Sequence, residues 1–133
     1  RYWKSFAHLI SELKKAGKKV FIVAPTPEMG RSIQDIVYSA DEDDLKTRVN
    51  LQSVSRSYYL ARNAYFFERL KTLDFDDRLV LIDPSEWMCD RIDCYAVKNG
   101  IALYFDADHL SIAGSKILAE KILQAQDMKW GLK

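Results

Sequence analysis

Two histidines occur in the 133-residue sequence, and only His109 stands where acid–base chemistry is plausible. It lies in Asp106-Ala107-Asp108-His109-Leu110-Ser111, at a junction between an extended segment and a helix. A histidine that takes a proton from a nucleophile works best when its other ring nitrogen is held by a carboxylate. That partner fixes the tautomer and stabilises the imidazolium formed during reaction. Asp106 is three residues earlier, so one turn of chain can bring its carboxylate to Nδ1. Asp108 is expected to cap the helix that follows. The plainer reading uses the same residues without chemistry: Asp108 caps, His109 merely follows, and Asp-x-x-His is a short pattern. A divalent-metal site from Asp106, Asp108 and His109 would need more ligands than the sequence places nearby. His8 lies near the apolar stripe of the first helix and is expected to be structural.

Cys89 and Cys94 are the only cysteines. They are either two buried thiols or a small-loop disulfide of an oxidising compartment. Spacing leaves both open. Zinc is disfavoured, because no second cysteine pair or suitably spaced histidine completes four ligands.

These residues need a scaffold, and the pattern supplies one. Trp3, Phe6, Ile10 and Leu13 recur at helical spacing, and Gly17 sits where that helix should end. Val20-Phe21-Ile22-Val23-Ala24 and Leu79-Val80-Leu81-Ile82 are short continuous apolar runs, as expected of strands buried on both faces of a parallel sheet. Helical spacing returns over residues 52–70, with Val54, Tyr58, Ala61 and Tyr65 on one stripe and Phe66 and Leu70 beside it. Residues 85–90 read as a short helix, residues 101–105 as a short third strand or extended approach, and residues 111–125 as a last helix. Residues 28–50 give little pattern; their acidic cluster Asp41-Glu42-Asp43-Asp44 reads as a solvated loop. The rhythm is that of an α/β domain with helices packed on a parallel sheet. Two firm strands are few for such a sheet, so strands are expected to be missing.

Composition bounds the function. An apolar share of 48% and a charged share of 29% are those of an ordinary globular domain. Lysine plus arginine (20) nearly balances aspartate plus glutamate (19), so charge alone cannot hold nucleic acid or anionic lipid. Uncharged stretches such as residues 20–27 are too short to span a bilayer. No signal peptide is evident, and a start at Arg1 suggests a piece of something longer.

The block Leu103-Tyr104-Phe105-Asp106-Ala107-Asp108-His109-Leu110-Ser111-Ile112-Ala113-Gly114 resembles the final sequence block of SGNH hydrolases. The likeness is closest to the SGNH-like domain fused behind the acyltransferase-3 membrane module of bacterial surface-polysaccharide O-acyltransferases. Asp83-Pro84, Cys89 and Cys94 match the family's layout upstream of that block, and the opening residues look like the middle of the same domain. The resemblance implies a three-layer, parallel-sheet, flavodoxin-like SGNH fold whose N-terminal strands are missing, with residues 1–133 its C-terminal portion. It implies His109 as general base, Asp106 orienting it, and a Cys89–Cys94 disulfide. It implies an acyl donor delivered by an upstream membrane module, a polysaccharide acceptor, an extracytoplasmic location at a bacterial inner membrane, no nucleic acid partner and no cofactor. The family's Gly-Asp-Ser nucleophile block and its oxyanion glycine and asparagine are not found. Gly30-Arg31-Ser32 is the nearest imitation, and Ser85 and Ser111 read as caps. The nucleophile is therefore expected outside this chain. A free SGNH esterase and a non-catalytic α/β interaction domain are the alternatives.

Overall fold

A computed structural model describes residues 2–40 and 50–127; the acidic cluster at residues 41–44 lies outside them. Helix α1 (Tyr2–Lys15) buries Ile10 and turns into Gly17, whose φ of +74° ends the helix at no steric cost. Strand β1 (Val20–Val23) is followed by Pro25-Thr26-Pro27 and then α2 (Ile33–Ser39). Next come β2 (Leu51–Ser55), α3 (Arg56–Arg62), α4 (Ala64–Leu70) and β3 (Leu79–Ile82). The chain closes with α5 (Ser85–Met88), β4 (Asp93–Lys98), β5 (Ile101–Ala102) and α6 (Ile112–Asp127).

The two apolar runs pair as expected. β1 and β3 lie parallel, from Val20 opposite Leu79 to Val23 opposite Ile82. Ile10, Ile22, Leu70 and Leu79 form the core beneath them. A second sheet, antiparallel in the order β2-β4-β5, carries the larger core of Met29, Ile33, Ile36, Leu51, Tyr59, Met88, Cys94, Leu103 and Tyr104. The fold is thus mixed α/β with a small parallel sheet.

The structure corrects several expectations. Residues 51–55 are strand, because they pair with β4; register irregularities around Gln52 blur the alternation that would have marked them. The helix beyond is two pieces broken at Asn63, and its inward face is Tyr59, Phe66, Phe67 and Leu70. Tyr58 and Tyr65, placed on the apolar stripe by spacing, face outward. Residues 33–39, patternless in sequence, are a helix capped by the Ser32 hydroxyl, which accepts from the Asp35 N–H. The expected third strand contracts to Ile101–Ala102 and joins the antiparallel sheet.

Two buried tyrosines fix the segment after β1. The Tyr59 hydroxyl donates to the Pro25 carbonyl at 2.9 Å and the Tyr104 hydroxyl to the Pro27 carbonyl at 2.7 Å. Burial pushes both phenols well above the usual tyrosine range, with the Asp83 charge adding to Tyr59. Proline leaves carbonyls without local N–H partners, and these hydroxyls satisfy them.

Cys89 and Cys94 are disulfide-bonded, with Cα atoms 3.9 Å apart across a tight turn. Asp90 organises that turn. Its Oδ1 accepts the N–H groups of Ile92 and Asp93, and its Oδ2 accepts the Tyr95 hydroxyl at 2.5 Å. Lys98 ties the Trp87 carbonyl to the same corner.

Candidate active site

Asp106 to His109 form a loop closed at its base by backbone. Tyr104 and Leu110 bridge antiparallel, and the Phe105 N–H donates to the His109 carbonyl at 2.8 Å. The loop is hung on the end of β1's connection, where the Met29 N–H donates to the Ala107 carbonyl at 2.7 Å. Ser53 fixes Met29 in turn by donating to its carbonyl. Behind the loop, α6 crosses the Leu103 backbone so closely that only glycine fits at position 114.

Within the loop the side chains assemble by local chemistry. Asp106 Oδ1 accepts the N–H groups of Asp108 (3.0 Å) and His109 (2.8 Å), which leaves Oδ2 facing the imidazole, 2.8 Å from Nδ1. Aspartate side chains readily make such turns. The same device recurs at Asp76, which takes the N–H groups of Arg78 and Leu79 and pairs with Lys14, and at Asp90 with Tyr95. In the Asp106 copy the second oxygen is spent on a titratable ring.

The charges respond accordingly. The Asp106 carboxyl is held well below the usual carboxylate range, first by the N–H groups of Asp108 and His109 and then by the imidazole. The hydrogen bond and charge of Asp106, with the charge of Asp108, hold His109 above the usual histidine value. His109 is 74% exposed, and its Nε2 makes no hydrogen bond among the described residues. An imidazole with Nδ1 occupied by a carboxylate and Nε2 open is oriented to take a proton at Nε2.

Asp108 is not the helix cap it was expected to be. Ser111 caps α6, its hydroxyl accepting from the Gly114 N–H at 3.0 Å and donating to the Ala102 carbonyl. The Asp108 carboxylate instead lies 3.2 Å from His109 Nδ1. Sequence reasoning missed this contact, because the capping slot had two claimants and chain direction alone does not choose between them. Asp106, Asp108 and His109 could also present ligand atoms within 4.8 Å of one another. Asp106 Oδ1 is used by two backbone N–H groups and Oδ2 by His109 Nδ1, so these atoms are accounted for by hydrogen bonding.

The serines fall elsewhere. Ser32 caps α2, and Ser85 is fully buried with its N–H on Asp83, so it is Asp83 that ties down the start of α5. His8 sits on the exposed face of α1, away from the loop.

An oriented base on a mixed α/β scaffold is the arrangement that ester and acyl-transfer chemistry asks of its histidine. The model of the SGNH domain (fused to AT3 domains) matches residues 1–124, and the chain belongs to that family. Fusion to AT3 modules associates the family with acyltransferase- or esterase-type function and with membranes. No curated protein and no solved structure matches the chain. Among the described residues, no helix is long and apolar enough to cross a membrane.

Proposed function

We propose that this chain carries the general base and its orienting acid in an SGNH-type O-acyltransferase that moves an acyl group, acetyl in the simplest case, onto a hydroxyl of a cell-surface polysaccharide. The observation that carries the reading is the 2.8 Å contact between Asp106 Oδ2 and His109 Nδ1, with Asp106 immobilised by two backbone N–H groups. The nucleophilic serine comes from outside this chain. Its hydroxyl proton passes to His109 Nε2 as the oxygen attacks the acyl carbonyl, and the imidazolium returns that proton to the departing group. The acceptor hydroxyl then loses its proton to the same nitrogen and attacks the acyl-enzyme carbonyl, forming the new ester as the imidazolium returns that proton to the departing serine oxygen. Water in the acceptor's place gives the esterase outcome. The donor is delivered by the AT3 membrane module on the extracytoplasmic face, and the residues present ask for no cofactor.

The test uses a fluorophosphonate probe on the protein with its AT3 module. Labelling of one serine outside this chain, lost on His109→Ala, is expected; labelling unaffected by that substitution overturns the reading. The 133-residue chain alone should hydrolyse an activated acetyl ester no faster than background. Turnover abolished by substituting one of its own serines would place the nucleophile here instead.

A further inference from the structure

We infer that Asp108 is a second positioning residue for His109, so that Nδ1 faces two carboxylates and not Asp106 alone. The inference deepens the acyl-transfer reading and rests on it for its kinetic consequence.

The geometry makes the case. His109 Nδ1 is hydrogen-bonded to Asp106 Oδ2 at 2.8 Å, and Asp108 Oδ1 lies 3.2 Å from the same nitrogen as an ion-pair partner, so Asp106 holds the ring by a directed bond and Asp108 by its charge. The two carboxylates differ in what else they do. Asp106 is built into the backbone through the N–H groups of Asp108 and His109. The Asp108 carboxylate touches only His109 among the described residues. Removing its charge therefore leaves the turn, the cap on α6 and the core intact, and any effect must pass through the ring.

The ring has need of a second hold. With three-quarters of its surface exposed, water competes for Nδ1 and the ring can swing out about χ1 and χ2. A second carboxylate keeps Nδ1 engaged when the first bond lengthens, so Nε2 stays aimed at the reacting oxygen. It also adds negative charge beside an imidazolium that exists only during the reaction, which acts on kcat more than on KM. Asp106 and Asp108 are the charged groups acting on the ring among the described residues.

The experiment is an NMR titration of the two histidines in the 133-residue chain, wild type against Asp106→Asn, Asp108→Asn and the double variant. His8, exposed on α1, serves as internal reference. The His109 midpoint should fall in Asp106→Asn, fall less in Asp108→Asn, and fall furthest in the double variant. Asp108→Ala, run beside Asp108→Asn, should behave alike. If Asp108→Asn leaves the His109 midpoint unchanged while Asp106→Asn lowers it, the second hold does not exist and the dyad stands. If neither substitution moves it, the dyad itself fails, which is a separate result. In the protein with its AT3 module, Asp108→Asn should lower kcat about two- to fivefold, the range of an exposed charge pair, with KM unchanged; a change in KM alone would overturn the assignment.

Discussion

The Cβ that Gly114 lacks would lie 2.2 Å from the carbonyl oxygen of Leu103, and 3.1 Å from the carbon behind it. Both are backbone atoms at the root of the Asp106–His109 loop, since Leu103 leads into Tyr104 and the Ser111 N–H returns to that same Leu103 carbonyl. A helix and an extended segment therefore touch with no side chain between them, and the loop is sprung from that contact.

Gly114→Ala should push α6 away from Leu103. Expected is a loss of ~1–3 kcal/mol, the usual cost of overpacking where backbone cannot yield, read from urea unfolding. Activity of the complete protein should fall more than stability explains, because the displaced helix carries the Ser111 end of the loop. A Gly114→Ala variant as stable as wild type would mean that the two segments are free to separate.

Asp106→Asn should cost activity on the order of 10⁴, the loss known for that change in a serine triad. The amide oxygen can still accept the two backbone N–H groups, so thermal unfolding should change little. The pH profile gives a second reading. The base must be neutral, and His109 is raised above the ordinary value by Asp106, so wild-type activity should climb with pH through a midpoint above that of an unperturbed histidine. Residual activity of the asparagine variant should climb at lower pH. Profiles that coincide would remove Asp106 from the ring's surroundings.

How much of this was legible beforehand varied by element. The apolar runs at β1 and β3 declared themselves, since a strand buried on both faces needs no alternation. β2 did not: Gln52, Ser53 and Ser55 are polar, and its pairing with β4 lies far away in sequence. α2 packs Ile33, Ile36 and Val37 on the core, with Ala40 at its end, but at seven residues it is too short for the period to stand out from the polar residues around it. The Asp106–His109 pair was readable because its contact is local. Asp108's contact was not, because whether its carboxylate reaches forward to α6 or back to the ring depends on Ser111 having already taken the cap.

Opening the Cys89–Cys94 bridge, as in a Cys89→Ala/Cys94→Ala variant, should lower stability by about 2 kcal/mol, the small entropy of a short loop. Asp90's hydrogen bonds survive the change, so the turn should remain. Alkylation of unreduced native protein should modify no thiol; two reactive cysteines would contradict the bridge and weigh against an extracytoplasmic location.

Asp90 makes acid stability measurable. The N–H of Asp93, the Tyr95 hydroxyl and the Ile92 N–H lower its pKa to about 2. A depressed carboxyl contributes fully above its unfolded value of about 3.9 and loses that contribution as pH falls through the folded one. The stability difference between wild type and Asp90→Asn should therefore be constant near neutrality and shrink as pH drops from about 5 towards 2. A difference independent of pH over that range would show that the carboxylate's charge is not what holds the turn.

The Asp106 turn also has a consequence for the order in which the molecule assembles. Every contact setting the distance from acid to base lies within four consecutive residues. Closing so short a loop takes on the order of 10–100 ns or less and adds almost nothing to contact order. The bond from the Met29 N–H to the Ala107 carbonyl spans far more of the chain, so it is expected to close later. The acid–base couple is therefore expected to form before it docks on the sheet. A peptide of residues 104–112 should already show its histidine titrating above free histidine, and a midpoint equal to the free value would mean that the couple is a product of the finished fold.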